Sequence, residues 1–137
     1  MRGRSAWTIV VVGGAYWVFG LVFGDLAGAA TSADVRVAWR WAAWVVSAIV
    51  FGGHIVYEQV VHRGGRRVTA FCAASGAALG GFGLAVAANV HATSIGHRPA
   101  ILVWSLLIWP VLIGLPAFVV ALVAADLLAR ARRAFRH

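Results

Sequence analysis

Long apolar stretches alternate along the chain with short groups of charged residues. Four stretches contain no charged residue, and each has room for the roughly 20 apolar residues that a membrane-spanning helix needs. These stretches are Ser5–Gly24, Trp41–Tyr57, Val68–His97 and Pro99–Ala125. The pattern predicts four spans at approximately 5–24, 40–58, 68–91 and 100–125, joined by short loops into a single membrane domain over residues 1–137.

The first apolar stretch has features of both a signal peptide and a permanent span. Ala27-Gly28-Ala29 has the small residues of a signal-peptidase site, and Arg2 and Arg4 precede the stretch. The stretch is longer than the roughly 7–15 residues of a signal-peptide core, however. It also carries aromatic residues, including Trp7 and Trp17, that suit a helix with rings at the membrane interface. We therefore expect it to be the first of the four spans.

Composition supports this assignment and narrows the function classes. The chain is 62% hydrophobic, and its charged residues are 12 Arg, 3 Asp and 1 Glu. Soluble domains carry about 25% charged residues, roughly twice the proportion here. A soluble enzyme, a disordered tail and a nucleic-acid binder are all disfavoured despite the net charge of +8. The expected partner is the lipid bilayer, and no nucleic-acid partner is expected.

The arginines predict the orientation. Nine flank the two chain ends and the connection between spans two and three: Arg2, Arg4, Arg63, Arg66, Arg67, Arg130, Arg132, Arg133 and Arg136. The other side has only Arg36, Arg40 and Arg98. Because cytoplasmic loops are enriched in arginine and lysine, both termini are expected in the cytoplasm. The predicted fold class is an all-α membrane protein of the inner (plasma) membrane, a four-transmembrane-helix bundle with both termini cytoplasmic.

A polar stripe runs along span two. At 100° per residue, Arg40, Ser47, His54 and Glu58 fall on one face of the helix. Polar side chains within a membrane face protein or water rather than lipid, so this face should point into the bundle or an oligomer interface. His54 and Glu58 are one turn apart, which fits either a proton- or cation-accepting site or an edge charge network in which Glu58 pairs with Arg66 or Arg67.

Two further groups mark spans three and four. Gly76, Gly80, Gly83 and Ala87 form a small-residue face of the kind that allows close helix packing, within one chain or between copies. An outer polar cluster either binds an anion or a lipid head group, or caps and solvates a loop. Its members are Asn89, His91, His97 and Arg98.

Metal and cofactor chemistry finds little support in the sequence. No CxxC or HExxH pattern is present, and the spacing of His54, Glu58 and His62 turns the three side chains away from a common line. His91 and His97 lie at the opposite membrane edge from His54, so one subunit offers no haem ligand pair. No metal and no cofactor are predicted, although a haem shared by two copies of His54 stays open. No GxSxG pattern points to a hydrolase.

Three functions fit this pattern. The first is a non-enzymatic membrane protein that acts by assembly, as a homo-oligomer or as an accessory subunit of a membrane complex. The second is a small ion or solute transporter or channel that uses the polar face of span two. The third is a membrane redox or lipid-modifying enzyme. The apolar membrane centre and the absence of a soluble domain favour the first and weigh against an enzyme.

Overall fold

The described chain is entirely helical outside its short connections. A computed structural model describes residues 2–62, 65–96 and 100–134, with side chains for 6–62, 65–96 and 101–134. The helices are α1 (Arg2–Gly28), α2 (Ala33–Val60), α3 (Arg66–Ser94) and α4 (Ala100–Ala134). All four are long and apolar enough to cross a membrane, which confirms the predicted all-α fold with four candidate spans.

The connection between α1 and α2 is shorter than the sequence pattern predicts. The sequence predicts a small outer loop or a short surface helix over residues 25–37, whereas α1 continues to Gly28 and α2 already begins at Ala33. The Ser32 hydroxyl accepts a hydrogen bond from the Val35 amide at 3.3 Å, and Asp34 lies in the first turn of α2. A serine cap followed by an early acidic residue stabilises a helix N-terminus, so these loop-like polar residues begin the helix.

Helix α3 is the centre of the molecule. Half of its most apolar stretch is buried, whereas at most 6% of the corresponding stretch is buried in each of the other helices. Helices α1 and α4 pack along different faces of α3 and do not contact each other within the described residues. We call the side of the bundle where α1 begins and α4 ends the terminal side, and the other the opposite side.

Small residues explain how α1 comes so close to α3. A Cβ atom added at Gly80 would lie 2.5 Å from the Cβ of Tyr16 and 3.2 Å from the carbonyl oxygen of Gly13. One added at Gly83 would lie 2.8 Å from the Trp17 ring. Gly76 faces Val12 in the same way, whereas Ala87 is half-buried. The glycines of the predicted packing face therefore serve packing within the chain.

A second row of small residues on α3 faces α4. Ala73, Ala77, Gly81 and Ala85 are all buried. A Cβ atom added at Gly81 would lie 2.7 Å from Cδ1 of Ile113 on α4. Since both rows on α3 lack bulk, backbones approach closely on two faces, and close approach is the main source of helix association energy in lipid.

Helix α2 is attached mainly at its two ends. None of its most apolar stretch is buried. Its buried residues all lie near its terminal-side end: His54, Ile55, Glu58 and Gln59. Near its other end, the Trp39 ring contacts the Phe23 ring of α1 with centroids 6.1 Å apart. The middle of α2 therefore stands away from α3 and α4.

The close approach at Gly80 predicts a specific stability effect. Gly80→Ala should lower the free energy of unfolding by about 1–3 kcal/mol relative to Gly53→Ala, because the added methyl group overpacks the α1–α3 contact. Gly53 is a matched control, since a Cβ atom there meets nothing within 4 Å and the gain in helix propensity is the same. Reversible unfolding in mixed micelles measures both variants, and equal stabilities would contradict the packing described here.

Candidate functional site: the cavity beside α2 and the contact that closes it

A cavity of about 1090 Å³ fills the space between the middle of α2 and the other three helices. It is partly open to the surroundings. Its lining runs along α2 from Arg36 to Phe51 and along α4 from Leu112 to Val120. Ligand pockets in proteins are commonly about 300–1,000 Å³, so this cavity is large enough for a sizeable molecule.

The cavity is apolar over most of its wall and charged at one end. Ala, Gly, Leu, Ile and Phe side chains make up most of the lining. The lining residues that carry polar groups are Arg36, Arg40, Ser47, Trp44 and Tyr16. The Tyr16 hydroxyl is buried and has no hydrogen-bond partner among the described residues. Such a wall suits a molecule with a long apolar part and one polar group.

The two arginines stand at the opposite side of the bundle, one helical turn apart on α2. Both side chains are exposed, and neither forms an ion pair within the described part of the chain. Arg36 and Phe51 are 15 residues apart in the sequence, so the charged and apolar ends of the α2 wall lie about 22 Å apart along the helix. The cavity therefore has the polarity of an amphiphile, with positive charge at one end only.

On the terminal side of the cavity, His54 and Glu58 lie in a buried contact between α2 and α1. The His54 Nε2 and Glu58 Oε1 atoms are 3.7 Å apart, and each side chain is 1% exposed. The Thr8 hydroxyl of α1 donates a hydrogen bond to the same Glu58 oxygen at 3.1 Å. Neither ring nitrogen of His54 has a hydrogen-bond partner among the described residues. A polar pair is thus held away from solvent at the only buried end of α2.

The same end of α2 also binds α3 and α4. The Gln59 side-chain amide donates to the Thr69 hydroxyl of α3 at 3.1 Å, and both residues are buried. Arg132 of α4 donates to the Gln59 carbonyl oxygen at 2.9 Å. Ile55 packs in the apolar core with small residues of α3 and α4. We call this set the latch, and its members are Thr8, His54, Ile55, Glu58, Gln59, Thr69 and Arg132.

The predicted polar stripe of α2 divides between these two environments. Arg40 and Ser47 line the cavity, whereas His54 and Glu58 belong to the latch. Arg66 does not pair with Glu58. It binds Asp126, which also accepts a hydrogen bond from Arg130 at 2.8 Å, four residues further along α4. The exposed charge network therefore lies between α3 and α4, separate from the buried pair.

The predicted outer polar cluster does not come together as one site in the described residues. The Asn89 side-chain amide donates to the Leu102 carbonyl oxygen at 2.7 Å and to the Ser105 hydroxyl at 3.2 Å, which joins α3 to α4. The side chain of His91 is exposed. His97 and Arg98 lie outside the described residues. Asn89 therefore joins α3 to α4, a role that could not be inferred from its position at the membrane edge alone.

Metal ligands are not grouped within the part of the chain that the structure describes. No cluster of three or more His, Cys, Asp or Glu side chains is positioned to hold an ion there. Cys72 is buried on α3, within electrostatic range of Glu58. His54 and Glu58 on α2 and the Cys72 thiol on α3 are three potential ligands, and they do not make up the four-ligand set typical of zinc.

Sequence reasoning missed the cavity and every member of the latch except His54 and Glu58. Helical periodicity gives the face on which a residue lies, but it does not give the separation between two helices. Thr8 and Gln59 did carry a signal, since each is a polar residue placed at the same membrane depth as Glu58. Arg132 read only as one of several basic residues in the tail.

Comparisons with known proteins add no further assignment. No protein-family model, no curated protein and no solved structure matches the chain. The function must therefore be argued from the cavity and the latch.

Proposed function

We propose that the chain is a multi-pass protein of the inner (plasma) membrane that binds an anionic, lipid-like amphiphile in the cavity beside α2. The observation that carries this proposal is the polarity of the cavity, which is apolar along its length and has at one end two arginines that form no ion pair among the described residues. Binding places hydrocarbon against the apolar wall and an anionic head group beside Arg36 and Arg40.

The apolar wall favours hydrocarbon over water or a hydrated ion. Small residues of α1, α3 and α4 leave the space, and Phe51 and Val120 bound it on the terminal side. Of the cavity-lining residues between Arg40 and Phe51, only Ser47 and Trp44 carry a polar group, a hydroxyl and an indole N–H. Transport sites for ions and polar solutes generally place coordinating groups near the membrane midplane, and this wall offers few of them.

The arginines favour an anion at the charged end. A guanidinium group donates parallel hydrogen bonds that match the oxygens of a phosphate or carboxylate. Basic pockets between membrane helices are known to bind anionic lipid head groups. Arg36 and Arg40 also lie near the beginning of a span, at the level expected for a head group.

Action by assembly, which the sequence pattern favoured, now has less support. The glycine rows that suggested an oligomer face are covered by α1 and α4 of the same chain. A homo-oligomer or an accessory subunit stays a prediction, as does a redox or lipid-modifying enzyme. The cavity favours the binding of a ligand over these alternatives.

Lipid retention tests the binding proposal. Native mass spectrometry of the purified protein should show bound phosphatidylglycerol retained in preference to phosphatidylcholine with the same acyl chains. Replacing both arginines (R36Q with R40Q) should weaken phosphatidylglycerol retention by about 10- to 30-fold, since each cation near a membrane surface contributes roughly 1 kcal/mol.

A pair of size variants locates the bound lipid. Ala48→Phe adds bulk to the cavity wall and should displace both lipids. Val45→Phe places the same phenyl side chain at an exposed position of α2 that does not line the cavity, so it should leave retention unchanged. Equal retention of the two lipids by the unaltered protein, or no effect of Ala48→Phe, would refute the proposal.

We propose in addition that both termini face the cytoplasm, as the arginine distribution favours. This orientation puts Arg36 and Arg40 at the outer leaflet. Thr31→Cys and Val61→Cys test it, because these exposed positions lie at opposite ends of α2. A membrane-impermeant thiol reagent should label Thr31→Cys in intact cells and should label Val61→Cys only after lysis. The reverse pattern would contradict the orientation, and the unaltered chain, whose single Cys72 is buried, gives the background.

A further inference from the structure

The latch contains a titratable pair in the one region where α2 is fastened to the rest of the bundle. We propose that His54 and Glu58 form a buried proton-binding site that holds the terminal-side end of α2 on α1 and α3, and that loss of the proton releases α2 and widens the cavity. The proton site stands on the geometry of the latch alone. Its effect on ligand access rests on the proposed function.

Geometry first indicates that the pair holds a proton. The Nε2–Oε1 separation is 3.7 Å, slightly longer than a hydrogen bond, and the two side chains are one turn apart on the same helix. We expect a small side-chain rotation to bring them into hydrogen-bond contact. The absence of a partner for either ring nitrogen among the described residues leaves His54 free to serve Glu58 as a donor.

The charge balance then gives the direction of the effect. With one shared proton, the pair has no net charge, whether as imidazolium with carboxylate or as imidazole with carboxylic acid. Loss of that proton to the surrounding water leaves a neutral imidazole and a carboxylate, a net charge of −1. A buried charge without a compensating partner is strongly unfavourable. The deprotonated pair should therefore draw water and separate from α1 and α3.

Within the described residues, no cation pairs with Glu58 in place of the proton. Among the described side chains, α1 contributes the hydroxyl of Thr8 and α3 contributes the thiol of Cys72. Arg132 of α4 donates to the carbonyl oxygen of Gln59 and forms no ion pair with Glu58. The exposed network at this end consists of Arg66, Asp126 and Arg130. The other charged or titratable side chains described at this end are Arg67 of α3, Arg133 of α4, and Tyr57 and His62, whose rings are in contact.

Because α2 is attached mainly at its two ends, release of the latch at one end should widen the cavity. Phe51, which bounds the cavity, is one turn from His54 on the same helix. Because the middle of α2 has no buried residue, the latch and the Phe23–Trp39 contact are its main attachments. Weakening the latch should let α2 tilt away from α4.

Spin-label distances in detergent, with no lipid added, test the proton site. Labels at Val60→Cys on α2 and Leu127→Cys on α4 lie on the terminal side near the latch, and both positions are exposed, so they report how far the released end of α2 moves from α4. A reference pair, Val90→Cys with Leu107→Cys, spans the α3–α4 contact and should not change. Between about pH 5 and pH 8, where histidine commonly changes charge, the α2–α4 distance distribution should shift to longer values as the pH rises.

Three variants separate the proton site from a general effect of pH. Glu58→Gln keeps a polar group beside His54 but cannot deprotonate, so its distances should stay short at every pH. His54→Gln leaves Glu58 without its proton-sharing partner, so the long distances should be populated throughout. Asp126→Asn alters the exposed network and should retain the pH response of the unaltered chain. An unchanged reference distance shows that each variant is folded.

Several outcomes would overturn the inference. A pH-independent α2–α4 distance in the unaltered protein would rule out the proton site, and so would a persistent pH response in Glu58→Gln. The spin-label result does not depend on any ligand, so it is separate from failure of the lipid-binding proposal. If the distances respond as expected but phosphatidylglycerol retention is equal at both pH values, the proton site is supported and its link to ligand access is refuted.

Discussion

The small side chains of α3 are the constraint on which the rest of the structure depends. Glycine on one face lets α1 approach until an added methyl group at Gly80 would lie 2.5 Å from Tyr16, and a second small-residue row admits α4. Helix α3 contacts α2 less than it contacts α1 or α4. Helix α2 packs chiefly on α1, and the space beside its middle becomes the cavity. The space for the proposed ligand thus accompanies the tight packing of the other three helices.

The latch attaches the end of α2 to the other three helices, and burying its polar groups costs the bundle only a modest amount of folding free energy. Burying Glu58 and His54 is unfavourable unless their polar groups have partners. Glu58 accepts a hydrogen bond from Thr8 of α1, whereas neither ring nitrogen of His54 has a hydrogen-bond partner among the described residues. Thr8, Thr69 and Arg132 reach the end of α2 from three different helices. Polar contacts between membrane helices contribute individually about 0.6–2 kcal/mol. A few such contacts are enough to hold α2 in place, and they are weak enough for its end to detach if one of them is lost, as we propose.

The sequence predicts the helices well and their separations poorly. Charge-free runs located four spans, because hydrocarbon thickness fixes how many apolar residues a span needs. Periodicity also placed Arg40, Ser47, His54 and Glu58 on one side of α2. It did not reveal that the first two line a cavity while the last two are buried, since that difference depends on how far α2 stands from α4. The Ser32 cap was likewise hidden among residues that resemble a loop.

The central claim is that the middle of α2 is separated from α4 by a cavity that holds the apolar part of an amphiphile. Nuclear Overhauser contacts in nanodiscs containing phosphatidylglycerol test this claim most directly. The methyl groups of Ala43 on α2 and Ala117 on α4 both line the cavity. The account predicts contacts from each methyl group to acyl-chain protons and none between the two methyl groups. Direct contact between Ala43 and Ala117, with no acyl-chain contact to either, would contradict it.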